Sequence, residues 1–367
     1  MIVYYFGADA PWANQKEIDI NRRNMAVLLV IAEQPKVNVV YNIIRCTRGL
    51  VLNKKNQKRS SHTKIKNLYV GAILPERGAL KSIVGPLNKH LLRILNYKAF
   101  NSKNSVSWCY WPNGYLDYKF LGLNNRLVFD TDHNIINDPN LPEHQKENRA
   151  RLLLEAGKNA EIVLSSSRSM IDWYKKKGFN NTKIMMNGVF DSRINLETNI
   201  KLDNNYQVTY CGTLSKWIKI DWIIRLAQDH PEWSINIIGR NYKTELYTQL
   251  EQFKNIKLHG FLKPMEVDKI LKETNVCIGL YREEVALDVN SMKLYDYLAQ
   301  GLPVVVNNYH DNLAQDFNNL IHVEDNYNDF IETIQHVKTI DFDKLKYFLN
   351  GATWYNRVKS IIKSIDE

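Results

Sequence analysis

Short apolar runs alternate with helix-period segments along this chain, and the series starts over near its middle. An apolar run, a turn and an amphipathic stretch make one β-α unit. A string of such units closes into a mainly parallel sheet covered by helices. In the first series, strands are predicted at Ile2–Phe6, Val37–Arg45, Val106–Trp111, Arg126–Asp130, Glu161–Ser165 and Lys183–Met186. Helices are predicted at Ile18–Glu33, Lys146–Asn159 and Met170–Lys177, the last capped by the serine cluster before it. A polar stretch, Asp191–Asn205, fits neither period and reads as a linker. The second series predicts strands at Tyr206–Cys211, Trp233–Ile238, Ile256–His259 and Val276–Tyr281. Its helices fall at Ile220–Asp229, Leu246–Phe253 and Pro264–Glu273, with a last helical segment at Phe342–Ile365. A chain of 367 residues suits two domains of ordinary size. The expected division is 1–195, 196–345 and a closing helix at 346–367.

Charge is unevenly spread. Between Lys36 and Lys103 stand 15 Lys/Arg against one acid, Glu76, a net of +14; the whole chain carries +10, which leaves −4 for the rest. Such a zone suits an anionic partner: a membrane surface, a lipid diphosphate or nucleic acid. A solubilising loop is the plainer reading. Gly85–Phe100 puts Leu87, Leu91, Leu92, Ile94 and Leu95 on one broad face, with Lys89, Arg93 and Lys98 near its edges. That pattern fits an interfacial amphipathic helix and equally a helix packed on the core. The basic run lacks interleaved aromatics of the kind RNA-binding strands carry, so no nucleic-acid partner is expected. No apolar run reaches transmembrane length. The N-terminus reads as a first strand and lacks the basic region and cleavage site of a signal peptide. Cys46, Cys109, Cys211 and Cys277 are widely spaced and read as core thiols in a reducing cytoplasm.

Ser291–Val306 carries the most chemistry. Ser291 and Met292 open a short helix, Lys293 stands in its first turn, Asp296 follows three residues later, and Gly301-Leu302-Pro303 turns into an apolar strand. A helix N-terminus offers unpaired backbone N–H groups and the positive end of a dipole, which suit a diphosphate. A lysine adds a point charge, and an acid one turn in can hold a ribose or sugar hydroxyl. An ordinary helix feeding a buried strand is the alternative. Two further positions lie where an open α/β sheet binds ligands, outside the carboxyl ends of its strands. Gly212 follows one strand, with Thr213 and Lys216 after it, and Gly239-Arg240 follows another. Tyr281 and Arg282 end a third.

The order YCGTLSKWIKID, WSINIIGR, KLHGFLKPMEVDKIL, VCIGLY and SMKLYDYLAQGLPVVV resembles the donor-binding domain of GT-B glycosyltransferases. The last stretch is similar to their Lys-x-x-Glu-Tyr-Leu-Ala-x-Gly-x-Pro-Val-Val pattern, with Asp296 in place of the usual Glu. Bacterial exopolysaccharide enzymes of the teichuronic-acid type resemble it most, and the xanthan glucuronosyltransferase more distantly. PWANQ, LVFDTDHN, AEIVLSSSRSMIDWYKKKGF, KIMMNGVF and the terminal TWYNRV look like the matching landmarks of the first domain and the returning helix. The resemblance implies two Rossmann-like domains facing a central cleft, with the C-terminal helix crossing back to the first domain. It also implies a nucleotide diphosphate sugar as co-substrate, with no cofactor and no metal, since a lysine and helix N-termini serve the diphosphate. Phe261, after Gly260, would sit at the nucleotide base, and Ser291 and Met292 would touch the nucleotide. The family often has Arg where Thr213 stands, which moves the expected phosphate contact to Lys293.

Asp130-Thr131-Asp132-His133 gathers two carboxylates and an imidazole. Glycosyl transfer needs a base for the acceptor hydroxyl if configuration inverts, and a group that stabilises the oxocarbenium-like face if it is retained. Both outcomes stay open, and Asp132 is the first candidate for the base, followed by His133 and Asp130. Capping and turn formation are the alternative roles. Asp9, Trp12 and Asn14 follow the first strand and are the candidate acceptor-binding residues; the Trp12 ring suits the apolar face of a sugar. The expected protein is a cytoplasmic hexosyltransferase, peripheral at the inner face of the plasma membrane, that extends a lipid-linked glycan for the cell surface. A nucleotide-sugar 2-epimerase of the same architecture and a non-catalytic glycan- or nucleic-acid-binding protein are the rivals.

Overall fold

The computed structural model describes residues 1–7, 22–45, 60, 62–71, 84–88, 90–91, 100, 104–132, 134, 136, 141–196, 206–240, 244–286, 288–337 and 340–366. The chain divides into two compact units: Met1–Met186 with Arg357–Glu367, and Asn187–Asn356.

Among the described residues, the first unit is built on seven parallel strands: β1 (Ile2–Phe6), β2 (Val39–Arg45), β3 (Ile65–Val70), β4 (Ser105–Tyr110), β5 (Arg126–Asp130), β6 (Ile162–Ser165) and β7 (Thr182–Ile184). Their order in the sheet is β3-β2-β1-β4-β5-β6-β7. Phe6 pairs with Ile43 of β2 on one side and Cys109 of β4 on the other. One core face gathers Tyr4, Phe6, Cys109, Tyr115, Phe129, Leu153 and Tyr174, all buried. Full burial of one such large apolar side chain contributes about 1.5–3 kcal/mol. The helix Arg23–Glu33 buries every residue but its last. Arg23 at its start opposes the helix dipole, so its place there must be earned elsewhere.

The strands at Ile2–Phe6 and Arg126–Asp130 stand where the apolar runs put them. Neither β3 nor the helix Trp111–Leu121 is predicted by the sequence pattern. Pro112 and Gly114 look like breakers there. Pro is tolerated in a first helical turn, where its missing N–H has no intrahelical partner anyway. Gly114 lets the helix lie against the end of β1, because a Cβ there would come within 2.7 Å of the Phe6 carbonyl oxygen. The helix Arg168–Lys176 is capped by Ser167, whose Oγ accepts from the Met170 N–H at 3.1 Å. Of the Gly85–Phe100 segment, the described Leu91 and Phe100 pack against the core while Leu87 is exposed. The rest of that segment lies outside the described residues.

The second unit has β8 (Gln207–Cys211), β9 (Ser234–Ile238), β10 (Ile256–Gly260), β11 (Val276–Gly279), β12 (Val304–Asn307) and β13 (His322–Glu324), again all parallel. The order is β10-β9-β8-β11-β12-β13. The chain first winds outward from β8 through β9 to β10, then returns to the other side of β8 with β11. The crevice between β8 and β11 is therefore this sheet's topological switch point, where ligands bind in such folds.

The division between units falls earlier than the polar linker suggests, because residues 187–195 are fastened to the second unit. The Asn187 N–H donates to Asn290 Oδ1 at 2.8 Å, Arg193 pairs with Asp296, and the Asn195 N–H donates to the Ala299 carbonyl at 2.7 Å. The expected single helix at Phe342–Ile365 is two helices, Phe342–Ala352 and Trp354–Asp366. Thr353 between them is extended and bridges Val189, while the Trp354 N–H donates to the Val189 carbonyl. Beyond Asn356 the last helix belongs to the first unit, where Lys183 Nζ donates to Ser364 Oγ at 2.8 Å and Lys36 pairs with Asp366. Among the described residues no helix is long and apolar enough to cross a membrane. Cys109 and Cys277 are buried and, like Cys211, free; Cys46 lies outside the described residues.

Candidate functional site

Three adjacent strands of the second unit end in glycine: Gly212 after β8, Gly239 after β9 and Gly260 closing β10. Their backbones touch. The Gly239 N–H donates to the Gly260 carbonyl at 2.8 Å, the Gly212 N–H to the Ile238 carbonyl at 2.7 Å, and the Leu214 N–H to the Arg240 carbonyl at 2.9 Å. A Cβ on Gly239 would lie 1.9 Å from the Gly212 carbonyl oxygen. Backbone cannot retreat as a flexible side chain can, so Gly239→Ala must push the Gly212 turn outward. The expected result is a loss of about 1–3 kcal/mol of stability, read as a lower urea midpoint.

Lys293 crosses the switch point from the other side. It sits in the first turn of the helix Met292–Ala299, whose N-cap, Ser291, makes no side-chain capping bond. One turn on, the Tyr297 hydroxyl accepts from the Cys211 N–H at 2.6 Å, which staples the helix to the end of β8. Lys293 Nζ donates to the Tyr210 hydroxyl at 3.0 Å. It also lies 4.2 Å from the Tyr210 ring centre and 4.6 Å from that of Tyr281. The point where a Gly212 Cβ would stand is 2.7 Å from Nζ. Burial works against the charge on Lys293, but the oxygens of Tyr210 and Tyr281 outweigh it and hold the ammonium above its ordinary pKa. Burial in turn raises Tyr210 to about 12, partly opposed by Lys293.

The rim is held from behind. Asn307, fully buried, accepts from the Tyr281 N–H at 2.9 Å and donates to the Tyr281 carbonyl at 2.8 Å. The Tyr281 hydroxyl shares a 3.0 Å bond with Ser291 Oγ. Asn290, just before the helix, accepts from the Asn187 N–H and, at 3.2 Å, from the Tyr295 hydroxyl. The Asn187-Gly188 turn thus shapes the entry to the Lys293 helix. Tyr210, Tyr297, Asn307 and Arg193 were not visible as site residues in the sequence. A two-residue spacing puts Tyr210 and Gly212 on one side of β8, and that is the signal that was available.

The other expected donor residues are distributed along this rim. Thr213 and Lys216 are exposed, and Met292 is half-buried. Arg240 is exposed and stacks 4.8 Å over the ring of Phe261, itself 53% exposed. Two of these residues already hold partners. Arg282 is exposed and paired with Glu284 at 2.8 Å, so its charge is partly satisfied. Asp296 Oδ1 accepts from Arg193 Nη1 at 2.8 Å, and Arg193 also reaches Asp268 at 3.4 Å. Burial raises the Asp296 pKa and Arg193 opposes the rise. The carboxylate therefore anchors residues near 193 to the helix, a structural duty beside the hydroxyl-binding role expected from its spacing to Lys293.

On the first unit, Asp130 and Asp132 end β5 with different surroundings. Asp130 is fully buried and receives Arg23 Nη2 at 3.2 and 3.3 Å on its two oxygens. Burial raises its pKa, and Arg23 pulls it back. A carboxylate shut from solvent cannot meet an acceptor, so Asp130 leaves the set of candidate bases and becomes the anchor of Arg23. Asp132 is 16% exposed, accepts from the Tyr110 hydroxyl at 2.7 Å, and lies 3.6 Å from Arg23 Nε. It adopts φ 57°, a conformation Asp tolerates better than most residues. Its carbonyl accepts from Ser165 Oγ, Ser166 N–H and Ser166 Oγ at 2.6, 2.6 and 2.9 Å, which fixes the turn. His133, Asp9, Trp12 and Asn14 lie outside the described residues. No group of three or more His, Cys, Asp or Glu is placed to hold a metal among the described residues.

Residues 205–339 match the family model described as Glycosyl transferases group 1. A search of curated protein sequences gives no match. Solved structures similar in fold span both units. HepE from Anabaena, in complex with UDP and glucose, is 14% identical with a TM-score of 0.65, covering 100% of this chain and 99% of that one. Sucrose-phosphate synthase from Thermosynechococcus elongatus is 13% identical with a TM-score of 0.68, covering 100% and 98%. The lipopolysaccharide outer core galactosyltransferase WaaB, in its apo form, is 13% identical with a TM-score of 0.66, covering 100% and 99%. The chain thus has the GT-B glycosyltransferase fold, and its second unit carries the sequence pattern of glycosyl transferases group 1.

Proposed function

We propose that the protein is a glycosyltransferase that moves a sugar from a nucleotide diphosphate donor to an acceptor hydroxyl. The observation that carries this reading is the Lys293 ammonium, held at the β8–β11 switch point against the bare backbone of Gly212. A positive charge there, beside uncapped helix amides, matches the charge that develops on a departing diphosphate. The second unit binds the donor. Asp132 is the proposed base for an inverting transfer: its carboxylate takes the acceptor proton, the acceptor oxygen bonds to the anomeric carbon, and the bond to the diphosphate breaks. Lys293 and the helix amides serve the leaving group without a metal.

The finer assignment is a hexosyltransferase of bacterial surface polysaccharide synthesis, with a lipid-linked glycan as acceptor. The basic stretch 36–103 supports it, since each Lys or Arg near an anionic membrane contributes about 1 kcal/mol. Salt-sensitive co-sedimentation with anionic vesicles, absent with neutral ones, checks that part.

A panel of nucleotide sugars with product analysis tests the reaction. Transfer to an added acceptor supports it, and release of a free epimerised nucleotide sugar assigns the protein to the epimerases instead. Asp132→Asn should lower kcat about 10²–10⁴-fold, the range of a lost general base, while nucleotide affinity stays at the wild-type value. Unchanged turnover removes Asp132 from the mechanism.

A further inference from the structure

Lys293 makes no ion pair among the described residues; its neighbours are two tyrosines. Tyr210 is fully buried on β8. Its hydroxyl and Lys293 Nζ stand 2.8 and 2.7 Å from the point a Gly212 Cβ would occupy. The bond between them lies directly against glycine backbone, and any side chain at 212 would break it. Tyr281 closes the other side of the ammonium, and its backbone is clamped by Asn307.

We propose that Tyr210 is the positioning residue for Lys293. Shut behind Gly212, it touches no ligand, and it acts by fixing the ammonium over the carboxyl end of β8. This inference rests on the donor-site reading above. A free lysine side chain samples many rotamers and gives up about 2 kcal/mol of entropy when immobilised. A hydrogen bond and two aromatic faces settle that cost before a ligand arrives. They also counter the burial that would otherwise discharge the ammonium. The titratable groups facing Lys293 are Tyr210 and Cys211 from β8 and Tyr281 after β11, with Asp296 and its partner Arg193 further along the helix.

Tyr210→Phe keeps the ring and removes only the acceptor. Calorimetric titration of UDP and of GDP into wild type and variant, from neutral into alkaline pH, reads the effect. Affinity at neutral pH should fall about tenfold, as for a lost bond to a charged group. The alkaline decline should also move to lower pH, because a lysine with less support loses its proton earlier. A residue that merely fills the core shifts neither. Equal affinity with an unmoved pH profile overturns the proposal. If wild type binds UDP or GDP and Lys293→Ala does not, that failure touches Tyr210 alone. Should wild type bind neither nucleotide, or Tyr210→Phe not fold, ¹⁵N NMR of the wild-type Lys293 ammonium decides. Slow proton exchange and titration above the ordinary lysine value support the positioning role; exchange as fast as a solvated lysine overturns it.

Discussion

Lys293→Ala weakens nucleoside diphosphate binding about 10- to 150-fold, because a charge-assisted hydrogen bond contributes about 1.5–3 kcal/mol and each 1.4 kcal/mol is tenfold. The fold should survive. Lys293 has no ion-pair partner among the described residues, so its removal strands no carboxylate and relieves the desolvation of its own charge. The Tyr210 hydroxyl loses its donor, a cost of about 1–3 kcal/mol if nothing replaces it. Calorimetry with UDP and GDP, paired with a thermal scan, separates the two effects. Equal affinity in wild type and variant would sink the assignment of the site. A large fall in the midpoint would mean that the lysine serves the core instead.

Arg23→Met should do the opposite, with a large loss of stability. Arg23 is 3% exposed and Asp130 is fully buried. Removing one partner of a buried pair leaves an uncompensated charge and costs about 3–5 kcal/mol. Acid should narrow the gap from wild type. In the variant, burial without Arg23 lifts the Asp130 pKa further above its unfolded value. The folded state then holds a proton that the unfolded chain gives up, so the variant gains stability as pH falls through the raised pKa and loses it as pH rises. Arg23→Met combined with Asp130→Leu should recover much of the loss. Urea unfolding of the three proteins at neutral and acid pH checks this; a single variant as stable as wild type would show that the pair is dispensable. The variant should also slow turnover, since Arg23 Nε lies beside Asp132.

These two residues mark the boundary between what could be read and what could not. Lys293 stood out because its signals are local: a helix start, a basic residue, and a Gly-Pro turn within Ser291–Val306. Arg23 falls inside the predicted helix Ile18–Glu33 with no local signal of a site, and its partner is 107 positions away. Asp132 ranks ahead of Asp130 as a candidate base, but nothing in the sequence says which of these two carboxylates, two residues apart, is sealed from solvent. The sheet buries the first completely and leaves the second at the turn. Asp296 fitted a hydroxyl-binding role by its spacing from Lys293, while Arg193, 103 residues upstream, holds one of its oxygens.

The sequence alone determined the two series of β-α units, most strand positions, the glycines at the strand ends and the lysine at the helix start. All of these follow from periodicity and backbone preference over a few residues, where chain neighbours are also neighbours in space. Only the tertiary structure decided which carboxylate is sealed, what holds Lys293 and where the last helix breaks. Each of those depends on groups brought together by strand order and packing, and the pattern of residues along one segment holds no record of what lies across the sheet.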